Sequence, residues 1–283
     1  MIAMLLLAAC LNPITNDFVL EDQAFLDALP QSTARTELPA QTELQRGANG
    51  FMATVESMLS WIDIVTAQPP NVRESDRRVW GPYPEELADF SWKLEIIRTE
   101  PGAYTWTFTR QRGGETVWIP FFRGESLTGY AAAESKGAFV YDASLITPLT
   151  GDDDFGQLEA DYDFIGARRI DSILTAPSGA RSWYTLEQYE DTVDLWFFTQ
   201  MDLEQNGSGL EDYEQSGRWL LSGAGRSDIE VTGGDLGPIV GVITECWDDM
   251  GTVTYRGNIV EGIFEETTGD INRCVFEETI TRR

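Results

Sequence analysis

The feature that most constrains this chain lies after Pro69-Pro70. From there to the end it is written in short runs rich in Trp, Tyr, Phe, Val, Ile and Thr, broken by Gly, Pro and Asp turns about every dozen residues. Runs of that length and composition suit extended strands, and the turn residues between them suit hairpins. The pattern predicts strands at 89–99, 103–112 and 115–123, with Arg112-Gly113-Gly114 as a short hairpin turn. The alternation Leu158-Glu159-Ala160-Asp161-Tyr162-Asp163-Phe164 marks a strand with one buried and one wet face. Further strands are expected at 168–175, 181–188, 192–203, 217–225, 228–232, 239–247, 251–256, 259–266 and 272–281. The fold class is therefore mainly β: a long antiparallel meander over 75–283 forming a strongly curved sheet or open barrel.

Before the prolines the period changes. Leu44, Ala48, Phe51, Val55, Met58, Leu59 and Ile62 recur at three- and four-residue steps, which predicts one N-terminal amphipathic helix over 40–68, ended by Pro69-Pro70. Gly47 and Gly50 weaken its first half. Packing this helix on the concave face of the sheet would bury both apolar faces at once. With 42% apolar residues, 40–283 can build one cored domain. Trp92, Trp106, Trp118, Trp183, Trp196, Trp219 and Trp247 fall in many of the expected strands. Two readings of them stay open, a filled core and the lining of an apolar cavity.

Charge and composition exclude several kinds of chemistry. Forty-seven acidic residues against 20 Lys and Arg give a net charge of -27, spread along the whole chain. Nucleic acid demands a basic groove, and the longest basic clusters are the pairs Arg77-Arg78, Arg168-Arg169 and Arg282-Arg283, so no nucleic-acid partner is expected. There is no histidine, which removes Ser-His-Asp and Cys-His catalysis and the usual zinc ligand. Lys93 and Lys136 are the only lysines, leaving little scope for Schiff-base chemistry.

The first ten residues address location. Met1 to Ala9 is an unbroken apolar run, followed by Cys10 and then by polar Asn12-Pro13. Nine residues are too few to cross about 30 Å of hydrocarbon as a helix, but they suffice for the apolar part of a secretory signal. Leu7-Ala8-Ala9-Cys10 resembles the lipobox of bacterial lipoproteins, although no Lys or Arg precedes the apolar run. The resemblance implies cleavage of a 1–9 signal peptide and acylation of Cys10, with membrane anchorage through that lipid. Leu11, where an aspartate would favour inner-membrane retention, implies the outer membrane or cell surface. The alternative is a buried strand ending in a core cysteine. Residues 10–39, with Pro13, Pro30 and Pro39, read as a tether. Export to an oxidising compartment leaves Cys246 and Cys274 as an even pair, and a disulfide between them is expected, with two free or metal-binding thiols as the alternative.

Few constellations could carry chemistry. Asp152-Asp153-Asp154 is the densest carboxylate cluster and a weak candidate for calcium, lacking the EF-hand spacing and its bidentate Glu. A solvated turn is the preferred reading of it, and Asp248-Asp249-Met250-Gly251 reads as a hairpin turn. Gly233-Gly234-Asp235-Leu236-Gly237 lacks the lysine and following helix of a phosphate loop. Glycoside hydrolysis needs only two carboxylates, for which Glu85-Glu86, Asp161/Asp163, Glu245/Asp248 and Glu265-Glu266 are candidates without a recognisable frame. The leading expectation is a non-enzymatic binding or structural lipoprotein without a cofactor, carrying an apolar small molecule or lipid. The alternative is a carboxylate-dependent glycan hydrolase at the cell surface.

Overall fold

The computed structural model describes residues 43–85, 89–128, 135–145, 156–165, 168–202, 209–260 and 263–278. A helix, α1 (Glu43–Thr66), precedes β1 (Val72–Arg73), β2 (Arg77–Glu85), β3 (Phe90–Glu100), β4 (Ala103–Arg112) and β5 (Ile119–Thr128). There follow β6 (Ser135–Asp142), β7 (Gln157–Asp163), β8 (Arg168–Thr175), β9 (Arg181–Gln188) and β10 (Thr192–Met201). The last strands are β11 (Glu211–Leu220), β12 (Gly225–Gly233), β13 (Gly237–Trp247), β14 (Val253–Val260) and β15 (Phe264–Gly269). All 15 lie in one antiparallel sheet in strict sequence order, so the meander is complete and the sheet is not closed, with β1 and β15 as its edges.

Several expected boundaries moved, each for a local reason. The run 217–225 straddles a turn: β11 starts earlier, at Glu211, and the break falls beside Gly223. The Glu211–Gln215 stretch hid its strand because Tyr213 is its only apolar-bodied residue and no aliphatic alternation marks it. The expected strands 251–256 and 259–266 leave a gap at 257–258, but both positions lie inside β14, and a Cβ on Gly257 would stand 2.6 Å from the Tyr255 hydroxyl. Residues 272–281 are not a strand in their described part. Ile271–Arg273 form a 3-10 turn capped by the Asp270 side chain, and the chain from Cys274 to 278 is irregular. The 115–123 strand begins at Ile119: Glu115 N–H closes a turn on the Arg112 carbonyl, and the chain runs on before pairing. Strands β1, β2 and β6 were not anticipated, β2 because Gly81, Pro82 and Pro84 interrupt its pattern.

Because side chains alternate across a strand, the register divides the sheet into a face toward α1 and a far face. On the helix face, Val55, Met58, Leu59, Ile62 and Val65 of α1 pack against residues of β2 to β8 in one cluster. Phe122, fully buried, is its centre, with Trp106 at 4.6 Å, Phe139 at 5.6 Å and Tyr141 at 5.7 Å between ring centroids. Each such buried side chain stabilises the fold by roughly 1.5–3 kcal/mol. A smaller cluster joins Ala48 of α1 to Leu186, Val193, Leu195, Trp219 and Trp247 of β9 to β13.

Glycines on the helix face stand opposite large rings. Trp106 pairs with Gly124, Tyr162 with Gly137, and Gly225 with both Trp219 and Trp247. A ring laid over the bare backbone of its neighbour fills the space that a missing side chain leaves.

The far face carries the C-terminal segment. Cys246 of β13 is joined to Cys274 by a disulfide, as expected, with the Cα atoms 5.4 Å apart. Phe276 lies over the Arg218 guanidinium at 5.8 Å, and Arg226 donates to the Glu277 carbonyl. The segment thus crosses the back of β11, β12 and β13. Under it, Arg218 makes a two-pronged bond to Asp194, whose side chain is only 4% exposed.

Candidate functional site

The two halves of the sheet meet the helix differently. Between the first half of α1 and strands β7 to β14 lies a groove of about 960 Å³, at the upper end of the range usual for small-molecule sites. On one side stand Leu44, Ala48 and Phe51 of α1; on the floor are Tyr184, Leu195 and Phe197. Ile229, Ile243 and Trp247 add to the apolar lining.

Its rings form a continuous ladder. Phe51 stacks on Tyr184 at 5.0 Å and 11° between planes, Tyr184 meets Phe197 at 4.7 Å, and Phe197 meets Tyr213 at 5.8 Å. Helix residue and strand residues thus share one aromatic surface. Burial raises the pKa of the Tyr184 and Tyr213 phenols, so both stay neutral donors at ordinary pH.

A polar patch interrupts the apolar wall. Tyr213 Oη donates to Gln215 Oε1 at 3.3 Å, and Gln215 Nε2 donates to Ser227 Oγ at 3.1 Å. Ser227 pairs across the strands with Glu245, and Glu245 with Arg256, so the four side chains run over β11 to β14 on the helix face. Glu245 and Arg256 are 3.9 Å apart at their nearest oxygen and nitrogen, a loose pair and not a direct hydrogen bond.

The helix end is fixed to this wall at one atom. The Gly223 carbonyl, in the β11–β12 turn, accepts from Gln45 Nε2 at 2.8 Å and from Trp247 Nε1 at 2.7 Å. Both donors are buried side chains, so the contact sets how closely α1 approaches the groove. Close approach also needs Gly217, where a Cβ would lie 2.5 Å from Leu44 Cδ2.

The residues singled out in the sequence scatter. Cys10 and Asp152, Asp153 and Asp154 lie outside the described residues. The Cys246–Cys274 disulfide is on the far face, away from the groove. Of the carboxylate pairs, Glu245 lines the groove, whereas Asp248 serves the β13–β14 turn, accepting from the Met250 and Thr252 amides. Asp161 and Asp163 project from the far face of β7, Glu265 and Glu266 are exposed on the edge strand, and Glu86 is outside the described residues. Gly234–Leu236 is a three-residue 3-10 turn, too short for a phosphate-binding helix. Among the described residues no group of three or more His, Cys, Asp or Glu is placed to hold a metal, and no helix is long and apolar enough to cross a membrane.

Both readings of the tryptophans describe part of the molecule. Trp106 fills the core beneath the second half of α1, whereas Trp247 lines the groove. Trp183 and Trp196 lie on the far face, with Trp196 Nε1 bonded to Glu214 at 2.6 Å. The sequence reading missed Gln215, Ser227 and Arg256. Their signal was parity: they are polar at positions where the strand alternation calls for apolar ones. Comparison of the chain with protein-family models, with curated proteins and with solved structures finds no match to any of them.

Proposed function

We propose that this protein is a non-enzymatic binding lipoprotein that holds an apolar ligand in the groove between α1 and strands β7 to β14. The observation that carries this reading is the groove itself, walled by Phe51, Tyr184, Phe197 and Trp247, beside a half of the sheet whose apolar residues pack against the helix in one buried cluster. Exposed apolar concavities of this size are unfavourable unless something fills them. In this reading the sheet bends around α1 as an open barrel, and the groove is its mouth.

The location belongs to the same proposal. Acylation of Cys10 anchors the chain to the bacterial cell envelope, at the outer membrane. The Cys246–Cys274 disulfide supports it, because such bonds persist outside the reducing cytosol. A glycan hydrolase would need two facing acids, and Glu245 is the one acid among the described lining residues, so no observation favours that alternative.

The test is mass spectrometry of the protein made in a bacterial host. Peptide analysis is expected to find acyl mass on Cys10, and native spectra of the intact chain to find a copurified apolar molecule. An unprocessed Met1 overturns the location; an empty protein that also fails to bind any added apolar probe overturns the carrier role.

A further inference from the structure

The polar patch in the groove has a chemistry of its own, and resting on the carrier reading it specifies the ligand. Among the described lining residues Glu245 is the only acid and Arg256 the only base. They sit side by side across β13 and β14, at positions whose side chains face the helix side of the sheet. Their 3.9 Å separation is too long for the charge-assisted bond that each could make. Each therefore has hydrogen-bonding capacity for a third group.

The occupant follows from charge complementarity. A purely anionic head would meet Arg256 but also Glu245 and a protein of net charge -27. A purely cationic head would meet Arg256 at once. A neutral head would leave both charges to water. A head with a phosphate and a primary ammonium matches the pair, since the planar guanidinium suits a phosphate and the carboxylate suits an N–H donor. Gln215 and Ser227 continue the polar strip, and the aromatic ladder from Tyr213 to Phe51 leads away from it. We propose that the groove binds a zwitterionic phospholipid, its phosphate on Arg256, its ammonium on Glu245, and an acyl chain along Phe197, Tyr184 and Phe51.

The experiment titrates the full chain carrying Cys10→Ala, which removes the acylation site, with four amphiphiles of equal chain length. They are a lysophosphatidylethanolamine, a fatty acid, an alkylamine and a monoacylglycerol, each followed by calorimetry. The lysophosphatidylethanolamine is expected to bind about tenfold or more tighter than the monoacylglycerol, the worth of one charge-assisted hydrogen bond. Arg256→Gln and Glu245→Gln should each remove most of that preference, and an unchanged near-ultraviolet circular dichroism spectrum and urea midpoint certify that the variants fold. Equal binding of all four, or tightest binding of the fatty acid with sensitivity to Arg256→Gln alone, overturns the zwitterion and leaves the apolar groove standing. Binding of none of the four overturns the carrier reading together with it.

Discussion

Trp106 lies against the bare backbone of Gly124, its cross-strand partner: a Cβ on Gly124 would come within 2.4 Å of the indole carbon Cζ2 and 2.5 Å of the Ala138 carbonyl oxygen. One of those neighbours is main chain and cannot yield cheaply. Gly124→Ala is therefore expected to destabilise the fold by about 1–3 kcal/mol, the usual penalty of overpacking. Gly217→Ala is the milder comparison, because the only contact its Cβ would make below 3.4 Å is with the end of the Leu44 side chain, which can give way by shifting the helix wall. Urea unfolding of both variants checks this, and equal losses would mean that the ring moves freely.

Arg218 and Asp194 form an ion pair with both bonds at 2.7 Å and the carboxylate only 4% exposed. Arg218→Met should cost about 3 kcal/mol, the low end for an orphaned buried charge since Arg218 itself keeps about a third of its side chain in water. Asp194→Leu added to it should restore much of the loss. If the single variant loses under about 1 kcal/mol, the pair behaves as a solvated one.

Alkaline pH should unfold the protein through its phenols. Burial raises the pKa values of Tyr162, Tyr141, Tyr184 and Tyr213 above the ordinary value. The folded state then keeps protons that the unfolded chain releases above about pH 10, so stability is complete below that pH and falls as pH rises past it. Tyrosinate absorbance should appear late and together with loss of near-ultraviolet circular dichroism. Tyr162→Phe should flatten the slope, while costing about 1 kcal/mol for the hydroxyl contact with Ser126 at 3.0 Å. Normal titration of all four phenols in the folded protein would refute the assignment.

The disulfide closes a loop between residues 28 apart, which in the chain-entropy model is worth about 3–4 kcal/mol. Replacing both cysteines by serine should lower the stability by that amount. It should also raise hydrogen exchange along the C-terminal segment that lies over Arg218, with β3 to β8 unchanged. Exchange that rises everywhere would mean that the bridge holds more than this segment.

Much of the fold was legible because binary patterns are local. The 3.6 period of Val55, Met58, Leu59 and Ile62 and the alternation around Tyr162 each reported a buried face directly. Boundaries failed where a residue's local preference was overruled by its cross-strand neighbour, as at Gly257 inside β14 and at the acidic start of β11. The groove was the least legible part. Leu44 and Arg256 are 212 positions apart, and only the folded register brings both to one cavity. Tryptophans were visible as ring-bearing strand residues, but the side of the sheet that each faces depended on registers that the sequence alone did not settle.

Strand order equal to chain order has a consequence for assembly. Every hairpin can close on the one before it with no distant partner in place, so the sheet can grow strand by strand as the chain emerges. The first half of α1 is the exception. Gln45 waits for a carbonyl 178 residues later, and Leu44 for Gly217, so that half finds its seat only after β11 and β12 have formed. The wall of the groove is thus built from both ends of the chain order, the helix made early closing on strands made late.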